Sequence, residues 1–367
     1  MIQLILIADG LGPGWLGPYG NESIDTPTLN NLASSGEVID HLYADDFQVD
    51  ENGRVVESLS NRAIQALVED RLKQQHCCHL LCDEQASVLA KLPWSSVTML
   101  ERGAESYHDD LVQKLHGLVE ENRPETHQLV VIDTSCMLPP WTFYQETYQE
   151  IMQSMGGLTT DSSSILHDSW ERIRNTPPTD TPPRGFVAPD DATFFAIRNS
   201  FAAAVHFFDD WVGKIVAAIA SQADASITIT SRHGYPLLEH QWAGPDCPTL
   251  NRELVQIPWI SRLFSHQGAV VRTINALKFS QVLETFPTGN GKTSKRLINS
   301  HHSDSIIVRR QMAGTTDSCV ISPEIWAIFP HEGEPQAYNH PEDLWQVHNI
   351  AREIAEEIEN LGKMRDV

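Results

Sequence analysis

Three runs of apolar and β-branched residues, far apart in the chain, each stop at a polar or charged group. Ile2-Gln3-Leu4-Ile5-Leu6-Ile7-Ala8 stops at Asp9-Gly10. Leu129-Val130-Val131-Ile132 stops at Asp133. Ser226-Ile227-Thr228-Ile229-Thr230 stops at Ser231-Arg232-His233-Gly234. Near-continuous apolar runs of this length read as strands buried on both faces, as in a parallel sheet. Helical patterns separate them: one capped at Ser60/Asn61 and running to about Gln74, an amphipathic stretch over Ala104–Glu121, and a long one over Thr193–Ala220. Strands alternating with helices predict an α/β fold with a large, mostly parallel central sheet flanked by helices. In such sheets, sites gather at the carboxyl ends of the strands. Asp9, Asp133 and Arg232-His233 all fall there.

Length and charge narrow the field. At roughly 150 residues per domain, 367 residues predict a large domain and a small one. Hydrophobic residues make up 41%, enough for a sizeable core. The 49 acidic residues outnumber the 26 basic ones, giving a net charge of −23. That balance argues against nucleic acid, whose phosphates need Lys and Arg, and against a polybasic membrane anchor. No apolar run approaches the roughly 20 residues of a membrane span. The first strand lacks the basic flank of a signal peptide, and the six cysteines are not spaced as a secreted disulfide framework. The expectation is a cytoplasmic chain with reduced thiols.

Smaller features fill in the order. Thr26-Pro27 starts a short helix, with Thr26 at N-cap and Pro27 at N1, and Gly36 closes it as a C′ glycine. Val38–Tyr43 is a short strand. Phe47–Val49 and Arg54–Val56 form a hairpin about the Asn52-Gly53 turn. His76–Cys82 suggests zinc at first sight, but on a strand alternate side chains face apart and cannot converge on one ion. Gln48–Leu59 lacks the first and last ligands of a calcium loop. Residues 156–191 read as a surface loop or insertion, and Thr288–Lys292 as a linker. The division is therefore 1–290 and 291–367. The second part is a small α+β unit with strands in Ser305–Arg310 and Ser318–Pro330, and a closing helix over Pro341–Leu361. The acids Glu353 through Glu359 make that helix's solvated face.

Several motifs occur in an order that resembles the sulfatases, within the alkaline-phosphatase superfamily. Ile5–Leu11, Leu16-Gly17-Pro18-Tyr19-Gly20 and Thr26–Gly36 resemble the opening of that family, including L-G-x-Y-G and T-P-x-L-D-x-L-A-x-x-G. Phe208–Ile215 resembles the helix before a site strand, and Thr228–His240 resembles T-S-D-H-G-x-x-x-G-E-H. Ile257–Arg262 matches V-P-L-I-I-R, and Tyr338–Asp343 with His348–Ala351 resembles the closing segment. The resemblance implies sulfuric ester hydrolysis and a calcium ion held by acidic residues at two strand ends.

The same comparison exposes losses. Asp9 is present, but its partner position is Gly10, and S-D-H-G reads Ser231-Arg232-His233-Gly234. A guanidinium cannot ligate a cation, so Arg232 is expected to take the metal's place and pair with Asp9. The nucleophile motif C-x-P-S-R aligns with Ser58-Leu59-Ser60-Asn61-Arg62, with Ser60 replacing the proline. A second registration runs from Asp50 to Arg54. Ser58 and Ser60 also read simply as helix caps. The acid/base histidine falls at Met137 or Leu138, and the later lysine near Cys247 or Pro248. His233 survives, as a site residue or a structural one. The expectation is a sulfatase-like protein impaired or inactive in catalysis, with Ser58, Arg62 and His233 as the remnant catalytic set. Asp9 is then a remnant metal ligand, with no cofactor unless the family's calcium site works. Arg232, Arg62 and His233 are expected to bind a small anion or sulfate ester. Two alternatives stand beside it: an active arylsulfatase-like or phosphoric ester hydrolase using Ser58 or an unrecognised nucleophile, and a scaffold or oligomer subunit.

Overall fold

The computed structural model describes residues 1–50, 55–83, 88–102, 106–120, 127–156, 177–180, 185–186, 191–220, 222, 224–265, 270–286 and 305–365. The three apolar runs lie side by side. Ile2–Ala8 pairs in parallel with Gln128–Thr134 on one side and with Ala225–Thr230 on the other. Cys77–Asp83 and then Ser96–Leu100 continue the parallel order beyond Gln128–Thr134. On the far side come Trp259–Leu263 (antiparallel), Glu37–Ile39 and Val271–Thr273, completing eight strands. The fold is α/β with a mostly parallel sheet, as the alternation predicts.

Strand periodicity divides the core. Ile2, Leu4, Leu6 and Ala8 face one way and pack with Leu111, Leu115, Phe201, Val205 and Trp211 of the helices Tyr107–Glu120 and Asp191–Ile219. Ile5 and Ile7 face the other way and pack with Ile64, Leu67 and Val68 of the helix Leu59–Lys73, and with Phe279 and Val282. Both faces are thus covered, which a parallel sheet requires. Cys78 and Cys82 join the second core while His79 bonds Ser96 on the strand edge, so the Cys/His run is a buried strand. All six cysteines are free thiols.

A second, six-stranded sheet follows Ile306–Met312, Thr315–Ile321, Ile325–Phe329 and Gln336–Asn339. Its other two strands are Phe47–Val49 and Val55–Ser58, so the cut at residue 290 does not isolate this sheet. The hairpin's Asn52-Gly53 turn, the Thr288–Lys292 linker and most of 156–191 lie outside the described residues.

Two local expectations need correction. Pro341–Leu361 is not one helix; only Ala355–Met364 is helical. Before it, the carboxylate of Asp343 accepts the N–H groups of Val347 and His348, and Gln346 takes a left-handed φ of 50°. That turn feeds the Gln346 side chain inward, where it accepts from Asn251 and the Arg252 N–H. Tertiary bonds outbid the local helical pattern. Gly36, in turn, is not a left-handed cap. Its place is explained by crowding, since a Cβ there would stand 2.3 Å from the Ser261 carbonyl. Nor does Thr26 cap its helix; Asp209 does so from the long helix, accepting the N–H groups of Thr28 and Leu29 at 2.9 and 2.8 Å.

Candidate functional site

The ends of the three central strands meet on one side chain, Arg232. Its backbone N–H and its Nε both donate to Asp9, at 2.9 Å to Oδ1 and 2.9 Å to Oδ2. Nη2 bridges Asp9 Oδ2 at 2.5 Å and Asp133 Oδ1 at 2.7 Å. Nη1 donates to Asn61 Oδ1 at 2.9 Å, reaching the first turn of the helix Leu59–Lys73. All three guanidinium nitrogens are therefore engaged by protein. The Arg232 side chain is 11% exposed, Asp9 8% and Asp133 3%. Burial alone would push Asp9 up, but Arg232 and His233 outweigh it and hold the carboxyl below its ordinary value. Burial likewise works against the Arg232 charge, yet Asp133 and Asp9 raise its pKa further above its already high value.

Chain geometry explains the missing partner of Asp9. Gly10 sits at φ +94°, a region that favours glycine, and its N–H donates to the His233 carbonyl at 3.0 Å. A Cβ there would meet the Met137 carbonyl at 2.6 Å and Leu138 Cδ2 at 2.9 Å. The segment aligned with the family's acid/base stretch has thus closed over the space that a second carboxylate would need. A calcium ion takes six to eight oxygen ligands. Here both oxygens of Asp9 receive N–H donors from Arg232, Gly10 supplies no side chain, and a permanent cation stands between Asp9 and Asp133. The residues present do not fit a divalent cation at this point.

The remaining predicted site residues separate. Ser58 is buried at 4% exposure and caps the helix, its Oγ accepting the Asn61 N–H at 3.2 Å. Ser60 donates to Asp45 Oδ2 at 2.9 Å. Arg62 is not brought to the strand ends: its side chain is 68% exposed and bonds Glu57 at 2.5 Å. His233 is 2% exposed, donates through Nδ1 to the Gly234 carbonyl at 2.8 Å, and holds Nε2 3.9 Å from Asp9 Oδ2. Phe47 stacks on its ring, so the second sheet walls the site.

Two members of the cluster were given no site role by the sequence. Asn61 was visible as a capping residue and as a position within the aligned nucleophile motif, yet its amide oxygen fixes Nη1 of Arg232. Asp83 ends the strand Cys77–Asp83 as Asp9 follows its own, and that position was the available signal. It accepts the N–H and hydroxyl of Ser135, both at 2.7 Å, and adds to the field that favours the Arg232 charge.

No protein-family model matches the chain, and no curated protein matches it. Solved structures do. The phosphonate monoester hydrolase of Agrobacterium radiobacter superposes with a TM-score of 0.66 at 13% identity, covering 99% of this chain and 95% of that one. A protein in complex with its substrate D-glucosamine-2-N,6-O-disulfate gives 0.65 at 13% identity, covering 99% and 96%. A 2-O GAG sulfatase gives 0.63 at 11% identity, covering 99% and 90%. The chain therefore has, over almost its full length, the fold shared by sulfatases and this phosphonate monoester hydrolase.

Proposed function

We propose that this chain is a sulfatase-fold protein that does not hydrolyse sulfate esters, with the Arg232 guanidinium in place of a catalytic cation. The observation that carries this is the double engagement of Arg232 by Asp9 and Asp133. Ester hydrolysis at sulfur or phosphorus needs uncommitted positive charge to face the anionic oxygens. Arg232 spends its donors on two carboxylates and an amide. A substrate anion would have to displace buried, charge-assisted bonds to reach it. Nucleophilic attack needs a hydroxyl with a base in reach. Ser58 instead uses its oxygen as a helix cap, and His233 directs Nδ1 to a backbone carbonyl.

In this proposal Arg232 is a structural charge that ties the strand ends to the helix at Asn61, rather than the receptor for a small anion. The test is elemental analysis of the purified protein together with turnover of an aryl sulfate and an aryl phosphate. The expected result is no stoichiometric calcium, magnesium or zinc and no turnover. Stoichiometric metal, or turnover that disappears in Ser58→Ala, overturns the proposal.

A further inference from the structure

A second arginine sits in a cleft of its own, away from the strand ends. His41, Arg252, Gln256, Trp326, His340, Asp343 and Gln346 line this small cleft, which is partly open to solvent. Arg252 donates to Gln256 Oε1 and weakly to the Leu344 carbonyl at 3.5 Å. It forms no ion pair with a carboxylate among the described residues. Asp343 is the acid in the lining, and its oxygens accept the N–H groups of its own turn, Val347 at 3.1 Å and His348 at 2.9 Å.

Gln346 provides the second observation. It is 4% exposed, and its Oε1 accepts from Asn251 Nδ2 at 3.1 Å and from the Arg252 N–H at 2.9 Å. Those two donors fix the amide's orientation. Nε2 is then a buried donor with no acceptor among the described residues, and Nδ1 of His41 is likewise unpartnered. Leaving a buried donor such as Gln346 Nε2 unmade is unfavourable, and the half-buried Arg252 guanidinium lacks a paired carboxylate among the described residues. A guanidinium and an amide N–H beside one cleft share one complement, an oxygen anion. The rings of Trp326, His340 and His41 wall the space, Trp326 and His41 each at 5.9 Å from His340.

We infer that this cleft binds a small oxyanion, held by the Arg252 guanidinium and Gln346 Nε2. The shared chemistry is a carboxylate, sulfate or phosphate head. The inference does not rest on the function proposed above, since Arg232 remains paired whether or not this cleft is filled.

Isothermal titration calorimetry with sodium acetate, sodium sulfate and inorganic phosphate, each against chloride at matched ionic strength, tests it. Saturable binding of one equivalent of at least one probe is expected. Acetate alone indicates an organic carboxylate as the natural ligand, and sulfate or phosphate indicates a tetrahedral oxyanion. Arg252→Met should weaken binding at least tenfold. Gln346→Glu is the second variant, should Arg252→Met not fold. It keeps the acceptor oxygen for Asn251 and Arg252 but replaces the donor with a carboxylate that pairs with Arg252 from within, so it too should lose binding. Arg62→Gln should bind as the wild type does. No saturable binding of any probe, or binding retained in the folded variants, overturns the inference.

Discussion

Arg232 and Arg252 are the same side chain in opposite circumstances. Arg232 stands at the meeting of three strand ends and is held by two carboxylates and an amide. Arg252 stands beside a cleft, held by an amide oxygen and a backbone carbonyl. The first is the position that the family resemblance marks, and it is neutralised. The second carries no family signal, and its charge is available. A motif position therefore reports where a site was built, while the charge balance around each cation reports where a ligand can still be held.

The sharpest break of this comparison is Arg232→Ala. It leaves Asp9 and Asp133 buried without their cation, and removal of one partner from such a pair destabilises by about 3–5 kcal/mol. Urea denaturation at pH 7 measures the loss. The pH dependence of Asp9's own contribution should also invert. In the wild type, the folded pKa of Asp9 lies below its unfolded value. Its contribution is therefore present above about pH 4 and lost as pH falls through the lowered folded pKa. In Arg232→Ala, burial is no longer outweighed and the folded pKa rises. The stability gap between wild type and variant should then narrow as pH falls from 7 towards 5. A gap that stays constant over that range would mean that Arg232 and Asp9 are not energetically linked.

Glu37 extends the comparison to a buried acid. Burial raises its carboxyl to about 7, and its Oε1 has no partner among the described residues. An acid can answer burial by taking a proton; an arginine cannot. Glu37 can therefore shed its charge, whereas Arg252 keeps its own. Because its folded pKa is raised, its stabilising effect is full below the unfolded value near 4.5 and is lost as pH rises through about 7. Glu37→Gln should therefore stabilise by about 2 kcal/mol at pH 8 and by almost nothing at pH 4. Equal effects at both pH values would show that the carboxyl is not protonated in the fold.

Arg252→Met, in buffer without the oxyanions, should change stability by about 1 kcal/mol or less, since it removes a cation that has no carboxylate partner. A loss as large as that of Arg232→Ala would place a hidden counter-charge beside Arg252 and remove the reason for a ligand.

These charge balances were only partly legible in the sequence. Asp9, Asp133 and Arg232 could be placed together because each follows or ends an apolar run, and strand ends converge in a parallel sheet. The bond from Arg232 to Asn61 was hidden, because a cap and a site residue look alike until the helix is docked. Arg252 and Gln346 were illegible for a different reason. They are far apart in the chain, and they meet only because the predicted helix after Pro341 gives way to a turn that inserts Gln346. The hairpin Phe47–Ser58 was visible as a hairpin, but not as two strands of the C-terminal sheet, since pairing across more than 200 residues leaves no local trace.

The smallest effect belongs to a third arginine, the one the resemblance placed at the nucleophile. Arg62 follows Asn61 directly, so on a helix their side chains point roughly 100° apart. Asn61 faces Arg232; Arg62 is 68% exposed and pairs with Glu57, itself 54% exposed. An ion pair in water is worth about 0–1 kcal/mol, screened by salt. Arg62→Gln should thus shift stability by no more than about 0.5 kcal/mol and leave binding of all three oxyanion probes unchanged. If it instead weakened binding of any probe, the family's nucleophile region would still hold an anion. The contrast between a neutralised Arg232 and an available Arg252 would then have to include a second available cation at the helix start.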